Sequence, residues 1–153
     1  MTEEKLNLSK IKIVGICLSL YPLILALIGK ILVINGFSRP EINFEEDELI
    51  KNFLYILYFL GLAVFFFCGG FSDYISRKIF SNKKNISEKK QAYFSYIILM
   101  FSFLNIISTT GFIGFLICGN FAFLGTFSLI NFLSLFSYFP TQKRYEKKLE
   151  IFN

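Results

Sequence analysis

The sequence predicts an all-α polytopic membrane protein, with four transmembrane helices arranged as two hairpins and both termini in the cytoplasm. Three observations carry this reading. The 153-residue chain is 54% hydrophobic, with a mean hydropathy of +0.56, whereas soluble domains are usually about 45–50% apolar. Its charges, 18% of residues, fall in short blocks between long apolar runs. The basic blocks are also one-sided along the thread that these runs imply. A single four-helix transmembrane domain over residues 1–153 is expected.

The first span covers about residues 11–34, read from IVGICLSLYPLILALIG and the KILVI that follows. A bilayer core of about 30 Å takes roughly 20 helical residues. The stretch is too long for a signal peptide and has no small-residue cleavage site, so it reads as an anchor. Pro22 in its middle lacks a backbone donor and should kink the helix, which makes it a candidate hinge. The second span, about 50–72, contains NFLYILYFLGLAVFFFCGGFS. Its Gly61 reads as a packing contact, with Gly69 and Gly70 as a flexible exit. From Gln91 to Gln142 there are 52 residues without a charge. As one helix at 1.5 Å per residue that run would be about 78 Å long, over twice the core, so it must fold back. Cys118, Gly119 and Asn120 supply the turn, since Gly and Asn tolerate left-handed backbone. A third span of about 92–117 and a fourth of about 121–139 result, the latter closed by Pro140. The basic tail, 141–153, spaces Tyr145, Leu149 and Phe152 along one helical face. It should lie on the inner surface against anionic lipid.

Thirteen of the sixteen Lys and Arg residues precede the first span, join the second to the third, or follow the fourth. The other side carries Lys30, Arg39 and Lys51 with the acidic loop Pro40 to Ile50. The positive-inside rule therefore places both termini inside. Lys30 should snorkel to the headgroups or pair with Glu41, Glu45 or Glu46. Tyr55 and Tyr58 at one boundary, and Tyr74, Tyr93, Tyr96 and Tyr138 at the other, read as interfacial anchors.

Several function classes are disfavoured. There is no histidine, and Cys17, Cys68 and Cys118 sit in separate apolar stretches without CxxC spacing. No metal, haem or other cofactor is expected, and each cysteine reads as a small buried hydrophobe. The net charge of +5 lies at span flanks, so no nucleic-acid partner is expected. Without His, a phosphate loop or a carboxylate pair at depth, enzymatic chemistry is not expected.

The stretch NIISTTGFIGFLICGN, Asn105 to Asn120, is uncharged yet crowded with Asn, Ser, Thr and Gly. Folding the run about residue 118 pairs Asn105 with Asn131, Ser108 with Ser128, Ser102 with Ser134 and Gly111 with Gly125 in depth. Steps of three drift by about 60° on a helix, so only two or three such levels can face the partner. The Asn105–Asn131 and Ser108–Ser128 pairs are the strongest expectations. Asn105, Ser108, Thr109, Ser128 and Asn131 thus form the candidate site. They act either as hydrogen-bonding glue between helices or as the lining of a polar path.

IISTTGFIGFLICG followed by a span ending YFPTQKRYEKKL resembles a class of small, uncharacterised four-span bacterial membrane proteins. Their second hairpin looks like that of a rotary-ATPase proteolipid subunit. The resemblance covers about Ile106 to Leu149. It implies a carboxylate-bearing third helix, but here Ser108 stands where that class carries Glu, and a serine cannot cycle a proton near neutral pH. What the resemblance leaves is a scaffold in a bacterial cytoplasmic (inner) membrane. The leading expectation is a non-enzymatic accessory or structural component of a membrane complex, partnered by the bilayer and by itself or larger subunits. The alternative is a small oligomeric channel or transporter subunit.

Overall fold

The computed structural model describes residues 8–36, 48–81 and 86–151, and every element among them is helical. The helices are α1 (Leu8–Ser19), α2 (Tyr21–Ile34), α3 (Glu48–Phe80), α4 (Ile86–Cys118), α5 (Phe121–Tyr138) and α6 (Gln142–Ile151). Four stretches are long and apolar enough to cross a membrane: α1 with α2, α3, α4, and α5. The acidic loop falls on residues that are not described, apart from Glu48 to Ile50, which open α3.

The first span is divided at Leu20, whose dihedrals (φ −76, ψ −17) stay helical. Leu20 N–H still bonds the Ile16 carbonyl, and Ile24 N–H bonds the Leu20 carbonyl. Pro22 sits in the first turn of α2, a position that suits its fixed φ. The helices of the second and third spans run further than the apolar pattern implies, to Phe80 and from Ile86. Charged residues extend them past the apolar runs, because helix propensity does not end where hydropathy does. Gly69 and Gly70 lie within α3 with open space around them, so they are neither a packing contact nor an exit from the helix.

The turn between α4 and α5 uses both predicted residues, each differently. Gly119 takes the left-handed conformation at φ +68. Its N–H bonds the Phe115 carbonyl at 2.7 Å. Asn120 is extended and caps α5, its Oδ1 accepting from Ala122 N–H at 2.9 Å, a helix-start role suited to Asn.

Helix α4 is the centre of the bundle and packs against α1, α2, α3 and α5. Its Ile97, Met100, Phe101, Leu104 and Ile107 are wholly buried. The α1–α2 span runs alongside it in the same direction, from Lys10 and Lys90 lining one cavity at one end to Gly29 near Phe115 at the other. Helix α5 runs the opposite way, with Phe127 opposite Gly111 and Phe123 opposite Gly114. Phe127 also fills the notch left by Gly61 of α3 and meets Tyr58 edge-on at 5.8 Å. Three helices thus interlock around one ring, which small residues make possible. Gly125 faces open space, so the expected Gly111–Gly125 apposition does not form; Gly111 receives the Phe127 ring instead.

The glycines divide into packed and open ones, with opposite expected effects. A Cβ at Gly111 would lie 2.5 Å from Phe127 Cβ, close to backbone that cannot swing aside. Gly111→Ala should destabilise the fold by about 1–3 kcal/mol through overpacking. Gly69→Ala should instead gain about 0.5–1 kcal/mol from helix propensity. Thermal melts of the two variants in one detergent should move in opposite directions.

Candidate functional site

The candidate site is assembled from one amide on α4 and one on α5. Asn131 is wholly buried, as is Ser108, and Asn105 is nearly so. Asn131 Nδ2 donates to Asn105 Oδ1 at 2.9 Å and to Ser108 Oγ at 2.8 Å. Both hydrogens of one amide are therefore used across the α4–α5 contact. The expected Asn105–Asn131 pair forms. The expected Ser108–Ser128 pair does not, because Ser108 lies nearly one turn from Asn105 and turns toward the same Asn131. Ser128 Oγ and Asn131 Oδ1 are buried with no hydrogen-bond partner. Ser102 is exposed, and Ser134 bonds its own helix at the Ile130 carbonyl, so that pair is absent too.

The free donor of Asn105 reaches a third helix. Asn105 Nδ2 donates to the Leu18 carbonyl at 3.3 Å. In an uninterrupted helix that carbonyl would accept from the N–H of residue 22. Residue 22 is proline, which has none. The candidate hinge and the candidate site are thus one construction: Pro22 leaves a carbonyl unpaired, and Asn105 supplies the donor. Pro22 is itself fully buried. One turn along, Tyr21 Oη and Thr109 Oγ1 are 3.0 Å apart, and Thr109 Oγ1 also donates to the Asn105 carbonyl at 3.0 Å. Thr109 therefore ties α2 to α4 and is not a partner of α5. Neither the Leu18 contact nor the Tyr21 contact has a local sequence signal. Pro22 is the one clue, since a proline inside a span implies a donor nearby.

Other expectations land elsewhere. Cys17 is exposed on α1 rather than buried, whereas Cys68 accepts from Tyr138 Oη at 3.5 Å and Cys118 from Asn120 N–H at 3.4 Å. Lys30 is exposed on α2, and the carboxylates proposed to pair with it lie outside the described residues. Of the tyrosines expected as interfacial anchors, Tyr55, Tyr58 and Tyr74 are exposed and Tyr138 is partly buried, but Tyr93 and Tyr96 are buried in the core.

Their burial reflects the docking of α6. Tyr145 is buried against Tyr93, with ring centroids 5.0 Å apart. Lys148 Nζ donates to Ser76 Oγ at 2.8 Å, lies 3.7 Å from Asp73 Oδ1 and sits 5.1 Å above the Tyr96 ring. Arg144 Nη1 donates to the Phe136 and Phe139 carbonyls at 2.9 and 2.8 Å, closing the end of α5. The tail therefore spends Tyr145 on the bundle rather than on the membrane surface. Phe152 and the Leu149 side chain lie outside the described residues.

Burial lowers the pKa of Lys148, while Asp73 acts in the opposite direction. Between the lowered folded value and the ordinary lysine value, the undocked tail binds more protons than the docked one. Docking therefore strengthens as pH rises through that window. Protease protection of α6, normalised to an unstructured peptide, should increase as pH rises toward the ordinary lysine value of 10.5; a decrease would mean that the Lys148 charge is what holds the tail.

The Pro22–Asn105 link makes a second expectation. Asn105→Leu should destabilise the protein by about 1–3 kcal/mol by leaving the Leu18 carbonyl unpaired. In a Pro22→Ala background the backbone N–H returns, and the same substitution should cost about 1 kcal/mol less. Unfolding midpoints of the four proteins of this cycle measure that coupling.

No family model matches the chain, and no curated protein or solved structure matches it.

Proposed function

We propose that the protein is an integral membrane protein with both termini in the cytoplasm, acting as a non-enzymatic accessory or structural component of a membrane complex. The basic segment before α4 joins the second span to the third on the cytoplasmic side; α4 and α5 pack as a hairpin, whereas α1–α2 packs on α4 and α5 rather than on α3, so the expected first hairpin is a pair in sequence only. The observation that carries the structural role is the burial of Asn105, Ser108 and Asn131 within a single chain, bonded to one another and to the Leu18 carbonyl. A conducting path needs such groups on water or on an oligomer axis; here both Asn131 amide hydrogens and one of Asn105 are taken up by the fold.

The outer faces supply what an accessory component needs. Ile56, Phe59, Phe66 and Phe67 on α3, and Leu27 and Ile34 on α2, are exposed apolar side chains. In a bilayer these meet lipid or a neighbouring subunit. The likeness to four-span bacterial proteins agrees with a scaffold, and points to the bacterial inner membrane. One observation favours the second reading, a small oligomeric channel or transporter subunit: Asn131 Oδ1 and Ser128 Oγ are acceptors without partners, and water or a permeant group would satisfy them.

Native mass spectrometry after gentle extraction separates the two. Co-extracted larger subunits support the accessory role; a discrete homo-oligomer with no other subunit supports the channel. Asn105→Asp sharpens the test. A carboxylate there has no donor to spare for the Leu18 carbonyl and pays a desolvation cost at depth. Loss of folded protein is expected, and a folded variant with a new conductance would contradict the structural role.

A further inference from the structure

At the basic end, α3, α4, α5 and α6 enclose a cavity of about 270 Å³ that the amide network does not use. Its wall carries three cations, Arg144, Lys147 and Lys148, against one carboxylate, Asp73. The phenols of Tyr93, Tyr96 and Tyr138 also line it. Tyr138 Oη is engaged with Cys68 and Tyr96 Oη with Ser72 Oγ, so the cations carry the argument: three of them converging on one small space are the chemistry of an oxyanion site. The carboxylate is a weak competitor: Asp73 is 73% exposed and 3.7 Å from Lys148, near the outer limit of an ion pair. Lys147 has no ion pair among the described residues. Arg144 meets the α5 carbonyls through Nη1, which leaves the rest of its guanidinium fork for a bidentate partner.

We propose that this cavity binds the phosphate of an anionic phospholipid headgroup, an inference that rests on the membrane reading above. Position selects the lipid. Apolar α5 ends at Tyr138, and the cations follow within ten residues, so the cavity lies where the hydrocarbon gives way to headgroups. At about 270 Å³ the cavity is smaller than the ~300–1,000 Å³ of drug-sized pockets, which limits its occupant to a small group such as a phosphate. The acyl chains of such a lipid would remain outside it, against the exposed faces of the bundle. The shared chemistry is a phosphate anion, and a free phosphate is the competing source.

The test is calorimetric titration of the full-length protein in mild detergent. The probes are short-chain phosphatidylglycerol below its micelle concentration, the phosphatidylcholine of equal chain length, and inorganic phosphate. Phosphatidylglycerol should bind at least about tenfold more tightly than either other probe, and Lys147→Gln should weaken it about tenfold. Lys143→Gln removes the same charge from the same helix outside the cavity and should change affinity by less than about twofold. Equal weakening by Lys143→Gln would overturn the site, because diffuse charge would then suffice. Equal binding of phosphatidylcholine would overturn it as well. Inorganic phosphate binding as tightly as the lipid would overturn the headgroup assignment in favour of a free anion. Lys148 also docks α6, so the exposed Lys147 carries the decision. Failure of the membrane reading would show separately, as protein released without detergent.

Discussion

The bundle depends on one unpaired carbonyl. Pro22 cannot bond Leu18, and in hydrocarbon no water is available to take its place. The donor comes from Asn105 on the central helix. Its other end, Oδ1, is then free to accept from Asn131 on α5. A defect in the first span is thereby converted into a chain of hydrogen bonds through three helices. Each link is worth little on its own, since side-chain bonds between membrane helices average about 0.6 kcal/mol. Their effect is specificity: apolar surfaces alone would let α1, α4 and α5 slide, and an amide chain fixes one register.

Around that chain the packing follows from residue size. Gly61 and Gly111 admit the Phe127 ring, Gly29 admits Leu124, and Gly114 admits Phe123. The polar links lie toward the middle of α4 and the glycine notches toward its Cys118 end, while the tyrosine cluster with α6 closes the basic end. The bundle is thus pinned at three levels by three different interactions. The two spans with the least burial, α1–α2 and α3, carry most of the exposed apolar side chains, which fits peripheral helices facing lipid or a partner.

Much of this was legible in the sequence. The 52-residue charge-free run forces a fold-back, and that fold-back alone brings Asn105 to Asn131. The partner of Ser108 was not legible from depth alone. Depth ignores azimuth, and three residues leave Ser108 about 60° short of a full turn from Asn105, so both face Asn131. The Leu18–Asn105 bond needs the relative register of two spans that are not adjacent in the chain, which no local pattern sets. The docking of α6 was hidden for a related reason: an amphipathic face reads the same whether its partner is lipid or protein, and Tyr145 found Tyr93.

The central claim is that the buried amides hold helices together and do not line a water-filled path. Cysteine accessibility in intact membranes tests it most directly. In a background without Cys17, Cys68 and Cys118, Ser108→Cys is treated with a small charged thiol reagent. The account expects no labelling until the protein is unfolded, with Leu133→Cys at an exposed apolar position equally protected by lipid. Labelling of Ser108→Cys from either side of the native membrane would contradict it, because water would then reach the seam.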